Sequence, residues 1–197
     1  MAANFQYAAS ACCRDGGAAR YPVVSTFHAP LTGTLPMTMP PSPHDDEPND
    51  LEPFADPLLA PEQPSAFQRT IRYRLAEWKP DEAVLVLDLL PRHLNRGGVV
   101  HGGVLATLID TVGGFAGTFC TVPGNKRGTV TLSLTTSFLG QASSGTLRAV
   151  GRRRGGGRKI FMASCEVFDA EGNLIAMGEG TYRYRSGSED PEGVPVG

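Results

Sequence analysis

Between His93 and Asp110 the chain brings together residue types that could bind a carbonyl group and direct attack on it. The stretch reads His93-Leu94-Asn95-Arg96-Gly97-Gly98-Val99-Val100-His101-Gly102-Gly103, and Asp110 follows after six further residues. Gly102 and Gly103 stand where a helix is expected to begin. Their N–H groups are then among the donors a helix leaves unpaired at its N-terminus, and no side chain shields them from a ligand oxygen. That is the chemistry of an oxyanion site. Asp110 follows Ile109 in a run that otherwise belongs in a core, where an unpaired carboxylate is costly or titrates upward, so its presence calls for a role. Each feature has a plainer reading. Paired glycines ease a tight turn, an aspartate within a helix can bond a neighbouring element, and a lone histidine often sits at a helix start or in a core. Their co-occurrence favours the chemical one.

The elements that would position these groups follow from periodicity. Alternation over Ile71 to Leu75 and over Ala83 to Leu90 predicts two strands joined by the turn Lys79-Pro80-Asp81-Glu82. Pro91 to Val100 reads as a loop, and Gly102 to about Phe119, free of proline and apolar on nearly every face, as a buried helix. Four further strands are expected at Thr129–Leu139, Thr146–Arg152, Lys159–Phe168 and Leu174–Arg185, on β-branched content and period-2 stretches. Gly113, Gly114 and Gly117 each cost the helix about 1 kcal/mol relative to alanine, which predicts close packing against a sheet or a partner. The fold class is α+β, an antiparallel sheet of about six strands wrapped around one long central helix.

Composition bounds the rest. A chain of 197 residues with 41% hydrophobic and 19% charged residues suits one globular core. Its net charge of -2 conceals a division: residues 1–65 carry 8 acids, 2 bases and 11 of the 16 prolines, and the remainder carries 12 acids and 16 bases. Residues 1–65 therefore read as a flexible acidic extension, 66–186 as the folded domain and 187–197 as a flexible tail. The most apolar stretch, Val99 to Phe119, is interrupted by His101, Asp110 and five glycines, so no membrane span is expected. Four cysteines without a C-x-x-C spacing, and no basic-then-apolar signal pattern at the start, suggest a reducing, cytoplasmic compartment. His28, His44, His93 and His101 form no metal-binding spacing with the cysteines, and neither a G-x-S-x-G elbow nor a phosphate-binding GxxxxGK[ST] loop occurs.

The string His93-x-Asn95-x-x-Gly98-x-x-His101-Gly102-Gly103-x6-Asp110 resembles the hotdog-fold acyl-CoA thioesterases, in particular the phenylacetic-acid-pathway type that includes the thioesterase superfamily member 2 group. The resemblance covers about residues 70–185. It implies hydrolysis of an acyl-CoA thioester to acid and CoA without a cofactor, in homodimers that usually pair again into tetramers. It further implies that Asp110 is general base or nucleophile and that the Gly102 N–H binds the thioester oxygen. Asn95 would position substrate or water, and His101 would sit near the leaving sulfur or shape the site. Thr131 falls where the family often has a hydroxyl that orients water, although period-2 alternation puts Thr129 and Ser133 on the same face. A domain that binds acyl-CoA without hydrolysing it is the second reading.

One geometric consequence is independent of the family. Eight residues of helix separate Gly102 from Asp110 by about 12 Å, too far for both to serve one small reacting centre. Two antiparallel copies would bring Gly102 of one chain toward Asp110 of the other, so a catalytic reading predicts a two-fold dimer with composite sites. The run Arg152-Arg153-Arg154-Gly155-Gly156-Gly157-Arg158-Lys159 has three readings: a solvated hairpin end, a nucleic-acid contact, or a clamp for the phosphates of CoA. No stacking aromatic is interleaved, which disfavours nucleic acid. The clamp suits the resemblance.

Overall fold

The computed structural model describes residues 64–196. Apart from Pro64 and Ser65, the expected extension lies outside the described residues. A short helix, α1 (Ala66–Ile71), comes first: the Ser65 hydroxyl accepts from the Gln68 N–H at 3.1 Å, and Arg72 ends the helix in the left-handed region at φ 65°. The strand expected from Ile71 therefore starts later, at β1 (Arg74–Lys79), because the serine cap claims Ile71 for the helix. β1 forms a hairpin with β2 (Glu82–Asp88) about Pro80-Asp81.

The central helix α2 (Gly102–Gly117) stops two residues short of the expected end. There the Thr118 hydroxyl donates back to the Gly114 carbonyl at 3.0 Å and the Trp78 indole donates to the Phe115 carbonyl at 2.7 Å, so the terminal carbonyls find partners other than a further turn. The chain continues through β3 (Asn125–Lys126), β4 (Thr129–Phe138), β5 (Thr146–Gly156), β6 (Ile160–Phe168), β7 (Leu174–Tyr184) and β8 (Val194–Pro195). Six strands form one antiparallel sheet in the order β1-β2-β5-β6-β7-β4, and β3 pairs separately with β8. α2 thus links β2, next to one edge of the sheet, with β4 at the opposite edge.

One face of the sheet receives the helix. Leu105, Leu108, Ile109 and Val112 of α2 meet Leu85, Leu87, Leu147, Ala149, Val167 and Ile175 in a continuous buried core. The expected close approach is made by the sheet. A Cβ on Gly113 would overlap the Tyr182 hydroxyl, and one on Gly117 would overlap the Phe161 ring. Those two rings stack on each other with centroids 5.1 Å apart. The glycines thus let an aromatic pair of β6 and β7 lie against bare helix backbone, which offsets their poor helix propensity.

The C-terminal residues are not a free tail. Ser188 is buried, its hydroxyl accepts from the Gly128 N–H at 2.9 Å, and its carbonyl accepts from Arg127 Nε at 3.0 Å. Thr121 N–H donates to the Pro191 carbonyl at 3.0 Å, and β8 lies alongside β3. The polar composition suggested solvent. Backbone groups of the segment after α2 instead use this stretch as their hydrogen-bond partner.

Candidate functional site

The segment leading into α2 is tied together by its own polar groups. Asn95 Oδ1 accepts from the Gly97 N–H at 2.8 Å, and the Asn95 N–H donates to the Val99 carbonyl at 2.8 Å, closing the loop on itself. Asn95 and His101 share an open groove of about 770 Å3, with Arg96, Gly97 and Gln141 on its walls. The structure thus brings these two predicted residues together. His101 is the N-cap of α2, its Nδ1 accepting from the Gly103 N–H at 2.9 Å. A neutral imidazole accepting at Nδ1 carries its proton on Nε2, so its outward nitrogen is a donor. With Gly103 capped, the Gly102 N–H is the one of the glycine pair without an acceptor among the described residues. The Phe138 ring, half exposed, lies 3.3 Å from where a Gly102 Cβ would stand.

Asp110 lies along the same helix, on the side facing β4. It is half-buried, and the Thr131 hydroxyl donates to its Oδ1 at 2.7 Å. Of the three hydroxyls that the alternation left open, the strand itself selects one. Thr131 pairs with the buried Tyr182, but the register then skips Leu132, so Ser133 pairs with Thr181 on the opposite face. This bulge contradicts the expectation that Ser133 shares a face with Thr131. Thr129 keeps the inner side, and its hydroxyl donates to the Arg183 carbonyl at 2.9 Å. Tyr182 went unnoticed in the sequence although its inward position on β7 was readable; its hydroxyl donates to the Asp110 carbonyl at 3.2 Å. Burial, reinforced by the nearby Cys165 and Asp110, raises the Tyr182 phenol above its ordinary range. Burial, with Asp110 and Glu166 adding to it, pushes the Cys165 thiol up to about 12, so neither group ionises near neutrality.

The basic run is not one cluster, because β5 extends through it and alternates its faces. Arg152 pairs with Glu82 at 3.0 Å and Glu166 at 3.1 Å, and Arg154 Nε donates to the Ser164 hydroxyl at 2.7 Å, both on the outer face of the sheet. Arg153, opposite the buried Ala163, turns to the helix side and pairs with Asp81 at 3.2 Å. With Arg158 it lines a cavity of about 390 Å3 near the C-terminal end of α2. Lys159 stands at the exposed hairpin end, its carbonyl accepting from the Tyr184 N–H at 3.0 Å. Among the described residues no group of three histidine, cysteine or acidic side chains gathers into a metal-binding cluster, and no helix is long and apolar enough to cross a membrane.

Comparison with known proteins bears on these elements. The family model described as "Thioesterase superfamily" matches residues 97–176, from the loop before α2 into β7. A Pseudomonas aeruginosa protein named "Putative esterase PA0474" is 32% identical over 102 residues, covering 51% of this chain and 74% of that protein. A solved structure of conserved protein PA5202, also from Pseudomonas aeruginosa, is 29% identical with a TM-score of 0.55 and covers 61% of this chain and 94% of that one. The E. coli PaaI protein from the phenylacetic acid degradation operon, 20% identical, matches with a TM-score of 0.54 over 61% of this chain and 85% of its own, a likeness of fold. The helix carrying Gly102 and Asp110, and the sheet that curves around it, are those of a hotdog domain, and the chain belongs to the thioesterase superfamily of hydrolases.

Proposed function

We propose that the protein hydrolyses acyl-CoA thioesters in a homodimer whose two sites each combine Gly102 of one protomer with Asp110 of the other. The observation that carries this reading is the Thr131 to Asp110 hydrogen bond, made at 2.7 Å on a half-buried carboxylate that forms no ion pair among the described residues. A hydroxyl donating to Oδ1 holds the carboxylate as an acceptor and fixes its plane, leaving Oδ2 to act. The thioester oxygen would accept from the Gly102 N–H, and the positive end of α2 favours the negative charge that develops there. Asp110 then either takes from an attacking water the proton that the leaving sulfur later receives, or attacks the carbonyl carbon itself to form an anhydride that a water hydrolyses to free the acid and the carboxylate. The carbon–sulfur bond breaks as the tetrahedral centre collapses, and the leaving thiolate takes up a proton. His101, with Nε2–H directed outward, suits a place beside the sulfur, and the Asn95 amide suits the water or the pantetheine arm.

An antiparallel pair centred midway between Gly102 and Asp110 carries the C-terminal end of one helix past the N-terminus of the other, toward the loop that holds Asn95. The polar groove at Asn95 would then open toward the partner's cavity at Arg153 and Arg158. Of the five cations, those two and Lys159 are the ones we assign to the phosphates of CoA, since Arg152 and Arg154 lie on the outer face, away from that cavity. The reaction needs no cofactor beyond its substrate. A cytoplasmic setting suits both CoA thioesters and the unpaired thiols of Cys120 and Cys165, and pairing of dimers into tetramers is compatible with the same sites.

The test is a panel of short, medium, long and aromatic acyl-CoAs with a thiol reagent to detect free CoA. Asp110→Asn removes the carboxylate at nearly constant shape and should lower kcat by about two orders of magnitude or more with an unchanged far-UV spectrum. Ligand-dependent thermal stabilisation without release of CoA would instead identify an acyl-CoA-binding protein, and unchanged turnover of the variant would remove Asp110 from the chemistry.

A further inference from the structure

We infer that His93 is a positioning residue for the Gly102 amide, its ring and its carbonyl together locking the segment Leu90–His101 to the start of α2. The proposal rests on the reading of Gly102 as the oxyanion donor.

His93 is almost fully buried, at 1% exposure, in the turn Pro91–His93, beneath the loop that carries Asn95. Three bonds pass through it. Its Nδ1 accepts from the Leu90 N–H at 3.0 Å, its own N–H donates to the Leu90 carbonyl at 2.9 Å, and its carbonyl accepts from the His101 N–H at 2.8 Å. His101 in turn caps Gly103 at 2.9 Å and, through its carbonyl, receives the Val104 N–H at 2.9 Å. The two histidines thus act in series. The first places the backbone of the second, and the second takes the Gly103 donor and leaves that of Gly102. An apolar side chain of similar volume would fill the space of His93, but it would leave the buried-side Leu90 N–H without its acceptor.

Because Nδ1 accepts, the neutral ring holds its proton on Nε2, which is enclosed and has no well-formed hydrogen bond among the described residues. A second proton could be accommodated at Nδ1 only by turning a donor against the Leu90 N–H. Burial disfavours the imidazolium most, the Ile71 carbonyl opposes this in part, and Arg92 and Arg72 disfavour it further. Among the described residues these two arginines are the charged groups that act on the ring. His93 is therefore held neutral below the ordinary imidazole value of 6.5, and its protonation would break the lock.

The experiment compares His93→Leu and His93→Asn in the full chain, with acyl-CoA turnover and with the amide resonances of Leu90 and Gly102 followed against pH. Asparagine can accept the Leu90 N–H through Oδ1 and does not titrate. Leucine should lower kcat roughly 10–100-fold at a KM changed by no more than about threefold, the scale of one lost hydrogen bond, whereas asparagine should restore most of it. In the wild type the Leu90 and Gly102 resonances should share one transition below pH 6.5, and both should lose it in His93→Asn. Wild-type kcat in the leucine variant, equal impairment of both variants, or a Gly102 transition that persists in His93→Asn would each overturn the inference. If leucine prevents folding, the asparagine variant and the resonances decide. The resonances also report when the wild type hydrolyses no acyl-CoA, so failure of the thioesterase reading is separately visible.

Discussion

Asp110 and Thr131 are joined by one hydrogen bond of 2.7 Å, and that bond makes a prediction independent of the Asp110 substitution. Thr131→Ala removes a charge-assisted donor worth about 1.5–3 kcal/mol, so kcat should fall about 10–100-fold, while Thr131→Ser should stay close to wild type. Steady-state kinetics of the two variants check this, and an alanine variant with full activity would separate the hydroxyl from catalysis. His93 also makes stability depend on pH. Its folded-state affinity for a proton is lower than in the unfolded chain, so the unfolded state binds more protons just below 6.5. Stability due to this group is complete above 6.5 and declines as pH falls through that value toward the depressed folded-state one. Glu82, lowered chiefly by its bond from Lys79, and Asp88, lowered chiefly by the Thr146 hydroxyl, add a loss that begins only in the more acidic carboxylate range. Thermal melts across pH 5 to 8 should therefore show a decline that His93→Asn abolishes. The stretch from Asn95 to Gly103 was legible from the chain because its partners are sequence neighbours: Asn95 caps its own loop and His101 caps the next residue but one.

At the level of elements, α2 is the part most constrained by what it touches. A methyl group at Gly117 would enter the volume of the Phe161 ring. Gly117→Ala should thus destabilise the fold by about 1–3 kcal/mol despite alanine's better helix propensity, through overpacking, and chemical denaturation would measure it. A gain in stability would show that the ring can yield. Two expectations failed at this level for a common reason. Ser133, expected on the face of Thr131, is turned to the opposite face by a bulge defined by pairing with β7. The dispersal of Arg152, Arg153 and Arg154 depended on β5 continuing to Gly156. Both are properties of strand partnership, which local composition does not encode.

For the molecule as a whole, a composite site predicts complementation between two crippled proteins. Gly102→Pro deletes the amide hydrogen at a helix position that favours proline, and His101 already has the extended backbone, φ -68° and ψ 135°, that precedes one. Mixed with Asp110→Asn under subunit exchange, it forms heterodimers containing one intact Gly102–Asp110 combination. Half of randomly exchanged dimers are heterodimers with one good site of two, so activity should return to about one quarter of wild type. Recovery no greater than the sum of the separate variants would exclude sites shared across the pair. Deleting residues after Arg185 should lower Tm by several degrees, because Gly128, Thr121 and Arg127 lose partners supplied by Ser188 and Pro191.

The sequence by itself determined the helix, the approximate strands, the glycine-flanked histidine that opens α2 and the carboxylate midway along it. Those features depend on periodicity and on contacts within a few residues, and such short-range preferences are written directly in the order of side chains. Only the tertiary structure decided which hydroxyl reaches Asp110, which arginines share a cavity, and that residues 187–196 are bound into the fold. Each of those outcomes turns on hydrogen-bond partners far apart along the chain, and a shift of one residue in strand register sends a side chain to the opposite face.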